Sequence, residues 1–548
     1  MIKIYGNDVA NAFTNCEQLT AIYTHGEHVW PTGPIPEWYV KWRPTNLSGS
    51  FTLNGHTHNL EDYSGYYSWN RMRGIITEGA FYGISFTYVE TNVESIKNGT
   101  SSTGAFGSCT SLSKISLSKC QYIGDYTFGW CTVLSSVSLS KCTYIGNGAF
   151  CYGTSISSIS LPVCSYIGNE AFSHCSSISS ISLPKCSYIG DYAFGNCSSL
   201  RTINLPSCSY IGNGAFGVCS NLSIISLPVC EIIGSAAFWG DVGITTISLP
   251  MCGYISNLAF YSCSYLSSIY IPVCSYIGDG AFMYCSKLTP IDLSVCSYIG
   301  NSAFGQCTSL RTVNLPICSY VGSYAFDNCS RLSSVSLPVC SYVGDGAFMY
   351  CSRIESIDLP MCSYLGSSAF MYCYEGLLSI SLPVCEYIGG QAFFNCMSLK
   401  SIDLPMCSYI DHEAFEWCYQ ISSISLPVCE YLGVQAFGRC TSLSSVFLPV
   451  CSYVGSSAFV QCTGLLSVNL SRCYFIGENA FSNCSSLSKI IIRTSVVCVL
   501  SNSNAFQGTQ ITSTTGSILV PYSLLDDYRY ASNWSYFSDR IFLVTIWD

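Results

Sequence analysis

The sequence predicts a β-rich repeat solenoid, and three observations predict it. Phe, preceded by Ala except at Thr127-Phe128, recurs every 22 residues from Phe106 to Phe370, and again from Phe393 to Phe481. Leu and Ile hold fixed places in each period, as in "CSYIGDYAFGNCSSLRTINLP" (Cys186–Pro206). Most of the 36 cysteines fall two to a period. The register slips once, by one residue, in "CYEGLLSI" after Cys373, and looser copies end at Phe506 and sit at Phe81.

Periods of about 20–29 residues with regular Leu and Ile mark a leucine-rich-repeat solenoid, here read as right-handed. In the coil Cys186–Pro206, Leu200, Ile203 and Leu205 have the spacing of a short strand in a parallel sheet. Alternation turns Ile203 and Leu205 inward and Asn204 outward. Pro206 ends the strand, because it has no N–H for the next ladder bond. Ile189 and Gly190 mark a second extended segment and a corner that Gly190 is expected to free. Ala193 and Phe194 are expected to form a single helical turn that drops the ring into the core. One coil buries about five large apolar side chains, roughly 10 kcal/mol. Ordering its residues costs about 1–2 kcal/mol each, so coils must stack and be capped.

The ends read differently. Residues 1–70 alternate apolar and polar residues, as in "EWYVKWRPTNLSGSFTLNGHTHNLEDYSG" (Glu37–Gly65), and are assigned to a small β attachment module. Residues 71–105 form a capping transition with a divergent repeat, residues 106–510 the solenoid, and residues 511–548 a C-terminal cap.

Composition excludes several functions. Charged residues are 10% of the chain and net charge is −10, with no Lys/Arg cluster, so no nucleic-acid partner is expected. Hydrophobic residues reach 49%, yet no uninterrupted run is long enough for a spanning helix, and no membrane insertion is expected. The opening "MIKIYGNDVANAF" has no basic region followed by an apolar stretch, so no secretory signal is expected. No Ser/His/Asp grouping, phosphate loop or spaced His/Glu metal motif occurs, and the reading is non-enzymatic, without cofactor or metal. Asp125, Asp191, Asp279 and Asp345 read as polar turn residues.

The cysteines form two ladders. One precedes the Tyr-Ile-Gly segment (Cys120, Cys142 and on to Cys473), and the other follows the Ala-Phe pair (Cys109, Cys131 and on to Cys484). Gly153 and Asp241 interrupt the second. Stacked neighbours about 4.8 Å apart exceed the roughly 3.8 Å Cβ separation of a disulfide. The thiols are therefore read as small buried hydrophobes with weak donors, suited to a reducing compartment.

The unit "LPxCSYIGxxAFxxCxSLxSIxLP" resembles the BspA-like leucine-rich repeats, found on bacterial surfaces, in some protists and in phages. The tail "ILVPYSLLDDYRYASNWSYFSDRIFLV" (Ile518–Val544) is similar to that family's closing segment. There Leu524, Leu525 and Tyr528 on a short helix, with Trp534, would shield the last coil. The resemblance implies adhesion or ligand binding. "IYGNDVANAFTNCEQLTAIYTHGEHVWPTGP" (Ile4–Pro34) resembles opening modules of phage tail-associated proteins. The pair His56 and His58 resembles the iron-binding His-x-His tracts of trimeric phage fibres, but is read as surface turn residues.

Function is sought at positions that vary between coils. The pair after Ala-Phe carries Trp130, Tyr152, His174, Trp239, Tyr261, Tyr284, Tyr350, Tyr372, Phe394 and Trp417. It is either tolerated variation on a solvated edge or a recognition strip. A Tyr ladder from Tyr122 to Tyr453 reads as packed rings or as a glycan-stacking surface. The expectation is a recognition protein, best placed as a phage virion appendage that docks through residues 1–70 onto other virion or assembly proteins. Its solenoid would meet a host cell-surface glycan or protein, with a homo-oligomer possible. The alternatives are a cell-surface adhesin and a scaffold with no host ligand.

Overall fold

The computed structural model describes residues 93–545 apart from 290 and 514. Before them it describes the strands Tyr39–Pro44, Ser50–Leu53, His56–Asn59, Ser68–Arg71, Ile75–Ile76 and Phe86–Thr91, and a few residues of 78–83. Two compact units, Met1–Val273 and Cys274–Asp548, are built from the same coil.

Each coil contributes to three parallel ladders. The first is the predicted Leu-Ile-Leu strand. In the amino-terminal unit Ile181 stands opposite Ile203 and Ser182 opposite Asn204. Ile203 and Leu205 are buried and Asn204 is exposed, as alternation requires. The second is the Tyr-Ile segment, where Tyr144 pairs with Tyr166 and Ile145 with Ile167.

The third ladder replaces the expected helical turn. Around Phe194 alternate amides point along the solenoid axis: Tyr192 N–H to Asn213 O (2.7 Å), Phe194 N–H to Ala215 O (2.7 Å) and Asn196 N–H to Gly217 O (2.9 Å). The amides between them close tight turns within the coil, as Gly195 N–H does on Tyr192 O (3.0 Å). A helix would spend every amide inside the coil. The alternation instead requires left-handed residues, and Tyr192 (φ 52°) and Asn196 (φ 61°) supply them. The expected role of Gly190 is corrected too, since its φ is not positive. A Cβ there would meet Asn169 N and Gly168 C at 2.6 Å, so glycine serves close coil-to-coil approach.

Phenylalanines make the core. In the amino-terminal unit the spine runs from Phe81, stacked on Phe106 at 4.9 Å, to Phe260. In the second it runs from Phe282 to Phe506, with ring centroids 5.3 Å apart at the start and 5.7 Å at the end. The looser copies at Phe81 and Phe506 are thus true coils.

Strands before the first coil extend the Leu-Ile-Leu ladder. Tyr39–Pro44 pairs antiparallel with Ser68–Arg71 and with Phe86–Thr91, and the latter continues in parallel into Lys114–Leu117. Ser50–Leu53 and His56–Asn59 pair as a separate hairpin; the side chains of His56 and His58 lie outside the described residues. At the C-terminus Ser517–Val520 ends at Pro521, and the helix Leu525–Tyr530 follows. Tyr528 and Trp534 are fully buried, whereas Leu524 and Leu525 are only half-buried. Trp534 Nε1–H donates to Cys498 O (2.7 Å), and Tyr528 Oη accepts from Cys498 N–H (2.9 Å). A final strand, Ile541–Leu543, pairs in parallel with Ser517–Val520 and was not foreseen in the cap.

Candidate recognition surface

The residues singled out after Ala-Phe occupy two columns. Trp130, Tyr152, His174, Tyr284, Tyr350, Tyr372 and Trp417 stand at the second position, all with φ between 57° and 67°. Trp239, Tyr261 and Phe394 stand at the first, outside the positive-φ set. A left-handed residue other than glycine costs roughly 1–2 kcal/mol. The ladder of axial amides sets this backbone, and the side chain is thereby carried outward. Tyr152, Trp239, Tyr284 and Tyr350 are exposed, and Trp130, Tyr261, Tyr372, Phe394 and Trp417 half-exposed.

Within each unit the rings form short stacks. In the amino-terminal unit Trp130 lies on Tyr152 (5.7 Å, 10°) and Tyr152 on His174 (4.4 Å, 8°). In the second, Tyr350 stacks on Tyr372 (4.9 Å, 7°), and Tyr372 meets Phe394 edge-on (5.7 Å, 78°). The Arg439 guanidinium lies 4.5 Å from the Trp417 ring centroid and also pairs with Glu416. Burial pushes the Glu416 carboxyl up against the opposing pull of Arg439.

The Tyr ladder is a second aromatic column. Tyr144 and Tyr166 lie 4.7 Å apart at 1°, and Tyr298 and Tyr320 4.9 Å apart at 1°. Burial and the Tyr122 phenol push Tyr144 up to about 12, so its hydroxyl stays protonated. The rings are half-buried apart from Tyr254, which is exposed.

The polar turn residues have an unforeseen task. Asp125 Oδ1 accepts from Asn147 N–H (2.7 Å), Asn147 Oδ1 from Asn169 N–H (2.8 Å), and Asp279 Oδ1 from Asn301 N–H (2.7 Å). Each side chain thus fastens the next coil.

The thiols act the same way. Cys186 Sγ–H donates to Tyr188 O (3.1 Å), and Cys197 Sγ–H to Phe172 O (3.3 Å) in the preceding coil. Each ladder satisfies a buried carbonyl with a donor small enough for the core. Burial pushes Cys164 up to about 11 and Cys120 to about 12, so they remain thiols rather than nucleophiles. No disulfide joins the described cysteines, Cys109 to Cys498. Among the described residues no cluster of His, Cys, Asp and Glu could hold a metal, and no helix is long and apolar enough to cross a membrane.

One surface went unread in the sequence. In seven successive coils of the second unit the residue two places after the buried strand-end Leu is exposed and apolar: Val295, Ile317, Val339, Met361, Val384, Met406 and Val428. The same period that located Phe would have shown this column. Contiguous apolar surface of this kind marks interaction sites.

Coils, spine and caps define a leucine-rich-repeat solenoid, a scaffold class that generally mediates protein–protein interaction. The BspA type leucine rich repeat region matches in six copies, over residues 74–165, 143–266, 253–381, 297–416, 363–488 and 408–521. The chain belongs to this family. Its members are often cell-surface proteins, and no catalytic family is indicated.

Among solved structures the chain is similar to a leucine-rich repeat protein from Bacteroides ovatus (27% identity, TM-score 0.43, covering 69% of this chain and 88% of that one). It is also similar to a leucine rich cell surface protein from Faecalibacterium prausnitzii (20%, TM-score 0.29, 70% and 84%). A third is the pneumococcal vaccine antigen PcpA (13%, TM-score 0.26, 97% and 98%). No curated protein matches.

Proposed function

We propose that this chain is a non-enzymatic recognition protein of a phage virion, presenting its solenoid to a host cell-surface glycan or protein. The observation that carries the recognition half is the aromatic column held outward on left-handed backbone, Tyr350–Tyr372 above all. Trp and Tyr there bring contact area at low entropic cost. Stacked rings suit a sugar face, and the exposed apolar column suits a protein.

The virion half is supported by the many buried thiols, which suit folding in a reducing cytoplasm, and by the phage-like opening segment. On this reading residues 1–70 dock onto other virion proteins. A bacterial surface adhesin is the second reading, favoured by where the family is found. Fractionation separates them: a virion part sediments with phage particles, and an adhesin stays with the cell envelope. Antibody detection of the chain only in the envelope would refute the virion assignment and leave recognition standing.

A further inference from the structure

We propose that the second unit carries a binding site for a carboxylate-bearing saccharide, centred on Arg311, Arg331 and Arg353. The site deepens the recognition reading and rests on it.

The three arginines come from successive coils and line one open concavity of about 680 Å3 with Ser333, Glu355, Glu375 and Gly376. That volume lies within the roughly 300–1,000 Å3 of small-ligand sites. The chain has only 22 Lys and Arg in 548 residues, so three guanidiniums around one hollow are a concentration of charge. All three are exposed, and no ion pair among the described residues engages them.

The hollow is also where the repeat is broken. The one-residue slip in the coil register falls at Glu375-Gly376. Their amides both donate to Ser352 O, at 3.2 and 3.0 Å. The sheet opens beside them: Ser356–Asp358 and Ser379–Ser381 share one residue pair, Asp358 with Ser381, where the flanking junctions share three. Gly376 cannot be replaced without movement, since a Cβ would lie 2.6 Å from Ile354 O. A register break fixed by glycine beside unpaired arginines is a shaped feature rather than drift on a solvated face.

The lining selects the ligand class. Arginine forks match a carboxylate with paired hydrogen bonds. Glu355 and Glu375 repel a bare anion but accept hydrogen bonds from hydroxyls. A ligand carrying both an acid and several hydroxyls satisfies both sets. The lining has no apolar anchor of the sort that peptide recognition uses.

The test is binding of the full chain to tetragalacturonate, to its methyl ester and to tetraglutamate, by calorimetry at low salt. Arg331→Ser with Arg353→Ser is the first variant. Ser is common at that position in other coils, so folding is checked by an unchanged melt. Deletion of Gly376, which restores the period, is the second. The site predicts saturable tetragalacturonate binding, weaker by tenfold or more for the ester and for both variants, and no tetraglutamate binding. Equal binding of tetraglutamate, equal binding of the ester, or undiminished binding by both variants would each overturn it, as would no binding at all. If the chain binds host cells but not tetragalacturonate, this site falls and recognition stands. If it binds tetragalacturonate but not cells, the site stands and cell-surface recognition falls.

Discussion

Asp241 sits fully buried in a slot that other coils give to cysteine. Its Oδ1 accepts from Cys219 N–H (2.6 Å), while Oδ2 has no partner. Burial raises its pKa well above the ordinary carboxyl value. The neighbours in its ladder are the thiols Cys219 and Cys263, and neither supplies positive charge. One coil earlier the same slot holds Cys219, whose Sγ–H donates to Phe194 O (3.2 Å). As pH rises from about 4 towards the raised native value, the unfolded chain loses this proton and the native chain keeps it. Stability therefore falls across that window. Asp241→Cys should gain about 1–3 kcal/mol at pH 7 and progressively less towards pH 3, read from melts at both pH values. A gain independent of pH would contradict this account. Val218 offers a second test, being β-branched yet left-handed (φ 62°) and exposed. Val218→Asn should raise stability by about 1 kcal/mol in denaturant titration.

At the scale of the coil, the thiol ladders are a second set of inter-coil and corner bonds. Buried, they should be inert. With an aromatic disulfide reagent, the native chain should show almost no reaction from Cys109 to Cys498, and the denatured chain all 36 thiols. Rapid native reaction of several would contradict the burial. Strand, spine and Tyr ladder were legible because Ile203, Phe194 and Tyr188 repeat as apolar residues, and a periodic apolar residue has one place to go. The left-handed turns were not legible. Tyr192 and Asn196 vary between coils, and an alternation of axial and local hydrogen bonds leaves no hydrophobic signature. The carbonyl partner of Cys197 lies in the preceding coil, a pairing that no local pattern announces. The arginine hollow was missed for a similar reason. Arg311, Arg331 and Arg353 lie 20 and 22 residues apart in the chain, and only stacking brings them to one rim. The aromatic edge was legible as a set of residues, but its division into two columns is a backbone property.

At the scale of the whole molecule, each coil is stabilised mainly by its two neighbours. Excision of one full period, Cys429–Val450, joins equivalent positions and should leave a cooperative melt and the β-sheet circular dichroism intact. Removal of half that length should abolish both, because Phe and Tyr would then face each other across the cut. A full-period deletion that fails to fold would show longer-range dependence than the ladders allow. The central claim is that the solenoid recognises a cell surface through its outward aromatic column. The most direct measurement is saturation binding of the labelled full chain to intact host cells, beside a variant with Tyr284, Tyr350, Tyr372 and Trp417 changed to Ser. The account predicts saturable binding that the variant loses while keeping its melting temperature. Saturable binding retained in full by the folded variant, or none by the native chain, would contradict it.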